Sequence, residues 1–94
     1  MRTLVSTSSF KRAFKALIRR DPEMKSQIAQ RLEMLMADPF HPALKTHKLK
    51  GKLSGAWACT VEYDCRIVFS FKKNPDLDSE EILLIDIGSH NEVY

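Results

Sequence analysis

The chain has 94 residues, of which 44% are hydrophobic and 29% are charged, and Lys and Arg outnumber Asp and Glu by 15 to 12. This composition is typical of a single folded domain spanning residues 1–94 and excludes an intrinsically disordered protein. No apolar run approaches the ~18 residues of a membrane-spanning helix and no signal-peptide pattern is present, so we expect a cytoplasmic protein without a membrane partner.

A strand and two helices are predicted before residue 40. Residues 2–6 are interpreted as the first strand, and Ser8 or Ser9 can cap the first helix. The apolar residues of that helix form one stripe, at Phe10, Ala13, Phe14, Leu17 and Ile18. Asp21 and Pro22 are the start signal of a second helix. The short connection makes the two helices an antiparallel hairpin.

Residues 56–71 predict a β-hairpin, because apolar residues alternate in both halves, at Trp57, Cys59 and Val61 and at Ile67, Phe69 and Phe71. A three-residue turn at residues 63–65 would place Val61 opposite Ile67 and Glu62 opposite Arg66. The six apolar residues then share one face. The opposite face is polar, with Thr60, Glu62, Arg66 and Ser70, and its alternative interpretation is a solvated surface.

Residues 81–88 predict the last strand, which is apolar on both faces. Ile82 and Leu84 lie on one face, and Leu83, Ile85 and Ile87 on the other. This pattern favours an inner position, with the hairpin on one side and the first strand on the other. The predicted fold class is α+β, in the order β-α-α-β-β-β. Its mainly antiparallel sheet is covered on one face by the helical hairpin and open on the other.

Neither a disulfide, a metal site nor a cofactor is expected. Cys59 and Cys65 do not make a CxxC pair, and the three histidines are scattered along the chain. Both cysteines are interpreted as reduced packing residues.

Five side chains capable of chemistry collect on the open face and its rim, namely His47, Asp64, Arg66, His90 and Tyr94. Imidazole can donate and accept protons near neutral pH. RNA carries its own nucleophile, the 2′-hydroxyl, so cleavage needs only a base, an acid and a cation, and no metal. Taken singly, each histidine has the alternative of being an ordinary surface residue, and His41 is interpreted as a loop residue.

A cluster of lysines precedes the hairpin, at Lys45, Lys48, Lys50 and Lys52. Such a cluster can contact the phosphates of a nucleic acid, and a solvated loop is the alternative.

Three segments, HKLKGKLSGAW, RIVF and IGSHNEVY, resemble the RelE/ParE superfamily of bacterial toxins, most closely its YafQ-like and RelE-like branches. The resemblance covers nearly the whole chain. It implies an mRNA interferase, a toxin that cuts mRNA, generally in the ribosomal A site, and is held inactive by a cognate antitoxin. The antitoxin, mRNA and the ribosome are therefore the expected partners.

The resemblance also implies roles for single residues. His47, Asp64 and His90 match the histidines and the hairpin aspartate of the YafQ-like branch, His90 being its C-terminal catalytic histidine. Arg66 and Tyr94 resemble the phosphate-contacting arginine and the catalytic tyrosine of RelE-like toxins. The lysines Lys48, Lys50 and Lys52 resemble the basic strip that holds RNA.

One position departs from the resemblance. Thr60 stands where the YafQ-like branch has another histidine and many RelE-like members have an arginine. Threonine cannot act as an acid or base near neutral pH, so the proton transfers would fall to His47 and His90. ParE-like members of the superfamily bind DNA gyrase instead of cleaving RNA, and fold alone cannot separate the two activities. The presence of His47, Arg66, His90 and Tyr94 favours the nuclease.

Overall fold

The computed structural model describes residues 2–62, 64–74, 76, 79–89 and 93, without the side chains of Lys52, Asn74 and Ser79. The strands are β1 (Thr3–Ser6), β2 (His47–Lys48), β3 (Trp57–Thr60), β4 (Cys65–Asn74) and β5 (Ser79–Ser89). The helices are α1 (Ser8–Arg20) and α2 (Met24–Ala37). Two single turns of 3-10 helix, Pro42–Leu44 and Gly51–Leu53, flank β2.

The strands form one sheet in the order β1-β5-β4-β3-β2, antiparallel except for the parallel pair of β1 and β5. The predicted α+β class and the inner position of the last strand are therefore confirmed. The two-residue strand β2 was not predicted, because two residues are too few to show an alternating pattern.

Both helices pack on one face of the sheet, which we call the inner face. The buried residues of α1 and α2, Phe10, Met24, Ile28 and Leu35, join the inner-face residues of β3, β4 and β5 in the main core. The six apolar hairpin residues predicted to share a face all belong to this core or pack against it. Cys59 and Cys65 are both buried in this core.

The N-cap of α1 is Thr7 and not Ser8 or Ser9, which lie inside the helix. The Thr7 hydroxyl accepts a hydrogen bond from the Phe10 amide at 3.2 Å and donates one to the Leu84 carbonyl of β5 at 2.8 Å. Ser9 donates to the next carbonyl, that of Ile85, at 2.7 Å. The start of α1 is thus fixed to β5 by two hydroxyl groups.

The helix connection also differs from the prediction. Asp21 ends α1, because its amide donates to the Leu17 carbonyl at 2.8 Å, and α2 begins only at Met24. The carbonyls of Asp21 and Pro22 accept from Met24 and Lys25, so these residues form a turn before the helix proper. Pro22 lies in this turn, and the N-cap of α2 is Glu23, two residues after the predicted cap Asp21.

The predicted register of the hairpin is wrong by two residues. Trp57 pairs with Phe69, Cys59 with Ile67 and Thr60 with Arg66. Cys65 belongs to β4 and not to the turn, and the Val61 amide donates to its carbonyl at 2.9 Å. As a result, Arg66 lies opposite Thr60 and not Glu62.

A β-bulge in β5 changes which face its residues point to, so the predicted faces of that strand are partly wrong. Val68 and Phe69 are consecutive on β4, but they lie opposite Asp86 and Leu84, so Ile85 is an extra residue. The extra residue reverses the alternation beyond it. Ile87 therefore points to the inner face and pairs with Ile67, 3% exposed, and not to the face of Ile85.

The opposite face of the sheet, which we call the outer face, was predicted to be open, and the structure corrects this. Ala56, Val68 and Val93 are buried together there, with Leu49 and Ile85 packed against them. This second cluster covers the outer face around Val68. Thr60 and Arg66, which lie closer to the hairpin loop on the same face, stay partly exposed.

Candidate active site

The outer face carries two neighbouring rows of paired residues. Arg66 on β4 lies between Thr60 on β3 and Gly88 on β5. In the next row, His47 on the edge strand β2 pairs with Ala58, which pairs with Val68. His47 and Arg66 therefore share the outer face, two strands and one row apart, with Cα atoms on the order of 12 Å from each other by standard sheet spacings. Between them on this face lie the small residues Ala58 and Thr60 of β3.

The hydrogen bond of His47 defines its tautomer. Its Nδ1 lies 3.0 Å from the Lys45 carbonyl oxygen. Because a carbonyl oxygen only accepts, Nδ1 must carry the proton in this bond. In the neutral ring, Nε2 is then the nitrogen with the lone pair, which is the form needed to accept a proton.

Arg66 is half-buried, and its guanidinium is held at the start of β4. Its Nη1 lies 3.4 Å from the carbonyl oxygens of both Glu62 and Cys65. The guanidinium is therefore anchored over the hairpin loop while carrying a full positive charge on the outer face. Such a planar cation can bind a phosphate with two hydrogen bonds.

Asp64 lies in a different part of the site from His47. It is exposed in the hairpin loop and lines a pocket of about 420 Å³ at the end of the helix layer. The other lining residues are Leu17, Arg20, Asp21, Met24, Glu62, Cys65, Gly88 and Ser89. Asp64 precedes β4, whose Val68 lies in the row of His47, so four residues along β4 and the whole of β3 separate Asp64 from His47.

The lysines do not form a single strip. Lys48 pairs with Trp57, and its Nζ lies 5.4 Å from the centre of the Trp57 ring, on the inner face and away from His47. Lys45 has a left-handed backbone with φ of 51° and supplies the carbonyl that His47 contacts. Lys50 is exposed just beyond β2, and the side chain of Lys52 lies outside the described residues.

His90 and Tyr94 also lie outside the described residues. Their described neighbours are Ser89, which pairs with Cys65 at the start of β4, and Val93, which is buried on the outer face. The predicted roles of His90 and Tyr94 therefore stay predictions.

The pocket at the helix connection was not predicted from the sequence. Arg20 and Asp21 line it together with Asp64, although Asp21 and Asp64 are 43 positions apart in the sequence. The signal that could have found them is a pair of charged residues at the end of an amphipathic helix that must pack near the hairpin turn.

Burial acts on one titratable group in particular. Desolvation raises the pKa of the Cys59 thiol from 9.0 to about 12, and the nearby Arg31 charge opposes this only in part. Cys59 is thus a protonated packing residue and not a nucleophile.

Among the described residues, His, Cys, Asp and Glu side chains form no group of three or more that could hold a metal ion. None of the described helices is long and apolar enough to cross a membrane.

The fold is shared with solved toxin structures. A YoeB/ParE toxin from Agrobacterium tumefaciens is 23% identical with a TM-score of 0.76, over 94% of this chain and 98% of that chain. A copper-bound mutant toxin from Helicobacter pylori is 27% identical with a TM-score of 0.72, over all of both chains. A YafQ chain from the DinJ-YafQ complex of E. coli is 16% identical with a TM-score of 0.78, over 100% of this chain and 99% of that chain.

The comparison with curated proteins gives no match. Residues 2–94 match the family model described as the bacterial toxin of type II toxin-antitoxin systems, YafQ. The match covers every strand and helix described above and confirms the predicted superfamily. The chain belongs to the YafQ family of type II toxins.

Proposed function

We propose that this toxin is a metal-independent endoribonuclease that cleaves mRNA in the ribosomal A site and so inhibits translation in the cytoplasm. The observation that carries the proposal is the pairing of a proton acceptor with a cation on one face. His47 presents Nε2 as the acceptor because Nδ1 is bonded to the Lys45 carbonyl. Arg66 shares the same face of the sheet. Its guanidinium can stabilise the charge that develops on a phosphate.

In the proposed reaction, His47 Nε2 takes the proton of a 2′-hydroxyl, whose oxygen attacks the neighbouring phosphorus. The bond from phosphorus to the 5′-oxygen of the next nucleotide breaks, and His90 donates a proton to that leaving oxygen. The products are a 2′,3′-cyclic phosphate and a 5′-hydroxyl end. Arg66 stabilises the charged transition state, and Tyr94 assists at the scissile bond. Asp64 supplies a carboxylate at the edge of the site, in the pocket that Gly88 and Ser89 of β5 also line. Lys45, Lys48, Lys50 and Lys52 bind the RNA backbone.

The proposed partner besides mRNA and the ribosome is a cognate antitoxin. The family consists of toxins from toxin-antitoxin systems, and one structural relative is a YafQ in complex with DinJ. Co-expression with the protein encoded beside this gene should relieve growth arrest.

The test is to express the wild type, His47→Gln and His90→Ala, score growth arrest and map new mRNA ends. Each variant is expected to lose on the order of 10²- to 10⁴-fold in cleavage, the usual contribution of a general acid or base. His41→Asn is the matched control. The His41 Nδ1 accepts from the Ala43 amide at 3.1 Å and caps a turn, a role that an asparagine side chain can also perform.

Two outcomes would contradict the proposal in different ways. Growth arrest by the wild type without new mRNA ends would favour the ParE-like alternative, in which the toxin binds DNA gyrase or another partner. Loss of cleavage by purified toxin on addition of EDTA would refute the metal-independent mechanism but not the ribonuclease activity.

A further inference from the structure

A cluster of three aromatic rings lies at the edge of the inner face, outside the candidate active site. Phe40, in the loop after α2, packs edge-on against Trp57 with ring centres 5.3 Å apart. It also stacks against Phe71 at 5.8 Å. Phe40 is 54% exposed, and no other large hydrophobic residue in the described ranges is exposed. We call these three residues the aromatic platform.

The loop that carries Phe40 is held in place by hydrogen bonds. Asp38 Oδ1 accepts from the Phe40 amide at 3.1 Å, and the Asp38 carbonyl accepts from the His41 amide at 3.1 Å. Pro39 is fully buried, and its carbonyl accepts a hydrogen bond from the Thr46 hydroxyl. The exposed ring is therefore preorganised, which lowers the entropy lost when a ligand binds to it.

The surroundings of the platform are positively charged. Lys48 Nζ lies 5.4 Å from the centre of the Trp57 ring, so a cation covers Trp57 while Phe40 remains the accessible ring. Residues 38–61 contain four lysines and one carboxylate, Asp38, whose Oδ1 accepts from the Phe40 amide. An aromatic ring beside cations is the combination with which proteins bind single-stranded nucleic acids.

The platform is also continuous with the proposed active site. His47 and Lys48 are consecutive on the edge strand β2, so their side chains point to opposite faces of the sheet. His47 faces the outer face beside Ala58, and Lys48 faces Trp57. An RNA strand that leaves the active site across this edge would next meet Lys48 and Phe40.

We propose that the aromatic platform binds an unpaired RNA base by stacking on Phe40, while Lys48 contacts the adjacent phosphate. This inference rests on the proposed function, since it takes RNA as the substrate. It adds a binding subsite for a nucleotide outside the scissile bond. An apolar peptide is the competing occupant, but the excess of four lysines over one carboxylate in residues 38–61 favours a polyanion.

The test measures the binding of a fluorescent 2′-O-methyl oligoribonucleotide, which lacks the attacking hydroxyl, to the purified toxin at several salt concentrations. Phe40→Ala and Phe40→Leu should weaken binding by about 5- to 100-fold, the range found for a base stacked on an aromatic ring. The salt dependence should not change in these two variants, and Phe40→Trp should retain affinity. Lys48→Gln should lower the salt slope by about 0.7, the value for one phosphate contact in a single strand. Lys25→Gln, an exposed lysine of α2, is the matched control.

Trp57 offers a local readout because it is the only tryptophan in the sequence. Stacking beside it should quench its fluorescence in the wild type and not in Phe40→Leu. Equal oligonucleotide affinity of the wild type, Phe40→Ala and Phe40→Leu would overturn the platform alone. If Phe40→Ala weakened antitoxin binding instead and Phe40→Leu did not, the surface would be an apolar protein contact. A wild type that binds no oligonucleotide would also overturn the platform, whereas growth arrest without new mRNA ends would refute the proposed function itself.

Discussion

Replacing Thr7 with valine tests whether one hydroxyl holds the first helix to the sheet. Valine has nearly the same shape, and the extended backbone of Thr7, with φ of −77° and ψ of 164°, suits a β-branched residue. The change therefore removes the hydroxyl without adding strain. It removes the acceptor of the Phe10 amide at 3.2 Å and the donor to the Leu84 carbonyl at 2.8 Å.

The expected loss follows from these two bonds. A lost N-cap costs about 1 kcal/mol, and a lost hydrogen bond to a half-buried carbonyl costs about 1 kcal/mol. The Leu84 carbonyl keeps its bond from the Thr7 amide at 3.1 Å, so no larger penalty is expected. A loss of about 2 kcal/mol in a domain of this size corresponds to a fall in Tm of roughly 8–16 °C.

Thermal and urea unfolding of the purified chain would measure this loss, and the urea m-value should not change. Thr3→Val is the matched control, because Thr3 is exposed on β1 and its hydroxyl makes no hydrogen bond with the described residues. The control should stay within about 0.5 kcal/mol of the wild type. If Thr7→Val were no less stable than Thr3→Val, the proposed attachment of α1 to β5 would be wrong.

Two further predictions concern the core and a turn. Burial raises the pKa of Cys59 to about 12, so the folded chain keeps a proton that the unfolded chain releases above its ordinary value of 9.0. The free energy of unfolding should then fall between about pH 9 and pH 12, by on the order of 1 kcal/mol per pH unit. Urea unfolding should show a smaller fall in Cys59→Ala, and equal slopes would contradict the burial effect. Gly55→Ala should lower the free energy of unfolding by about 1–2 kcal/mol, because φ is 94° there while no atom lies within 4 Å of the added Cβ. Ser54→Ala is its control in the same unfolding assay, and an equal loss in both would show that the backbone conformation is not responsible.

The faces of the hairpin could be predicted from the sequence, whereas its register could not. A strand that slips by two residues keeps the same side chains on the same face, so the apolar alternation fits either pairing. Only the length of the turn separates them, and Cys65 reads equally well as a turn residue or as the first residue of β4. In the structure Cys65 pairs with Ser89 of β5, which makes Cys65 the first residue of β4.

The location of the bulge depends on tertiary contacts that the sequence pattern does not show. Residues 82–87 are uniformly apolar apart from Asp86, so an extra residue at Ile85 leaves no break in the pattern. The bulged carbonyl of Ile85 is bonded to Ser9, a residue 76 positions away. Beyond the bulge, β5 ends in Gly88 and Ser89, immediately before the predicted catalytic His90.

The sequence could predict which residues form the candidate site, but it could not predict where they lie relative to one another. His47 and Arg66 share a face, as expected, while Asp64 lies in a separate pocket at the hairpin loop. The lysines looked like one cluster because they are close in sequence. Lys48 nevertheless points to the inner face, while its neighbour His47 points to the outer face, because consecutive residues of a strand face opposite ways.

The order of the strands also constrains how the chain folds as it is synthesised. β5 is the last strand made, yet it lies between β1 and β4, and β1 pairs with no other strand of the sheet. More than 70 residues must therefore be synthesised after β1 before its partner strand β5 can pair with it. Contacts so distant in sequence slow the final closure of the sheet. A nascent chain thus lacks the strand that carries Gly88 and Ser89 until residue 89 has been added, which would delay assembly of the proposed active site.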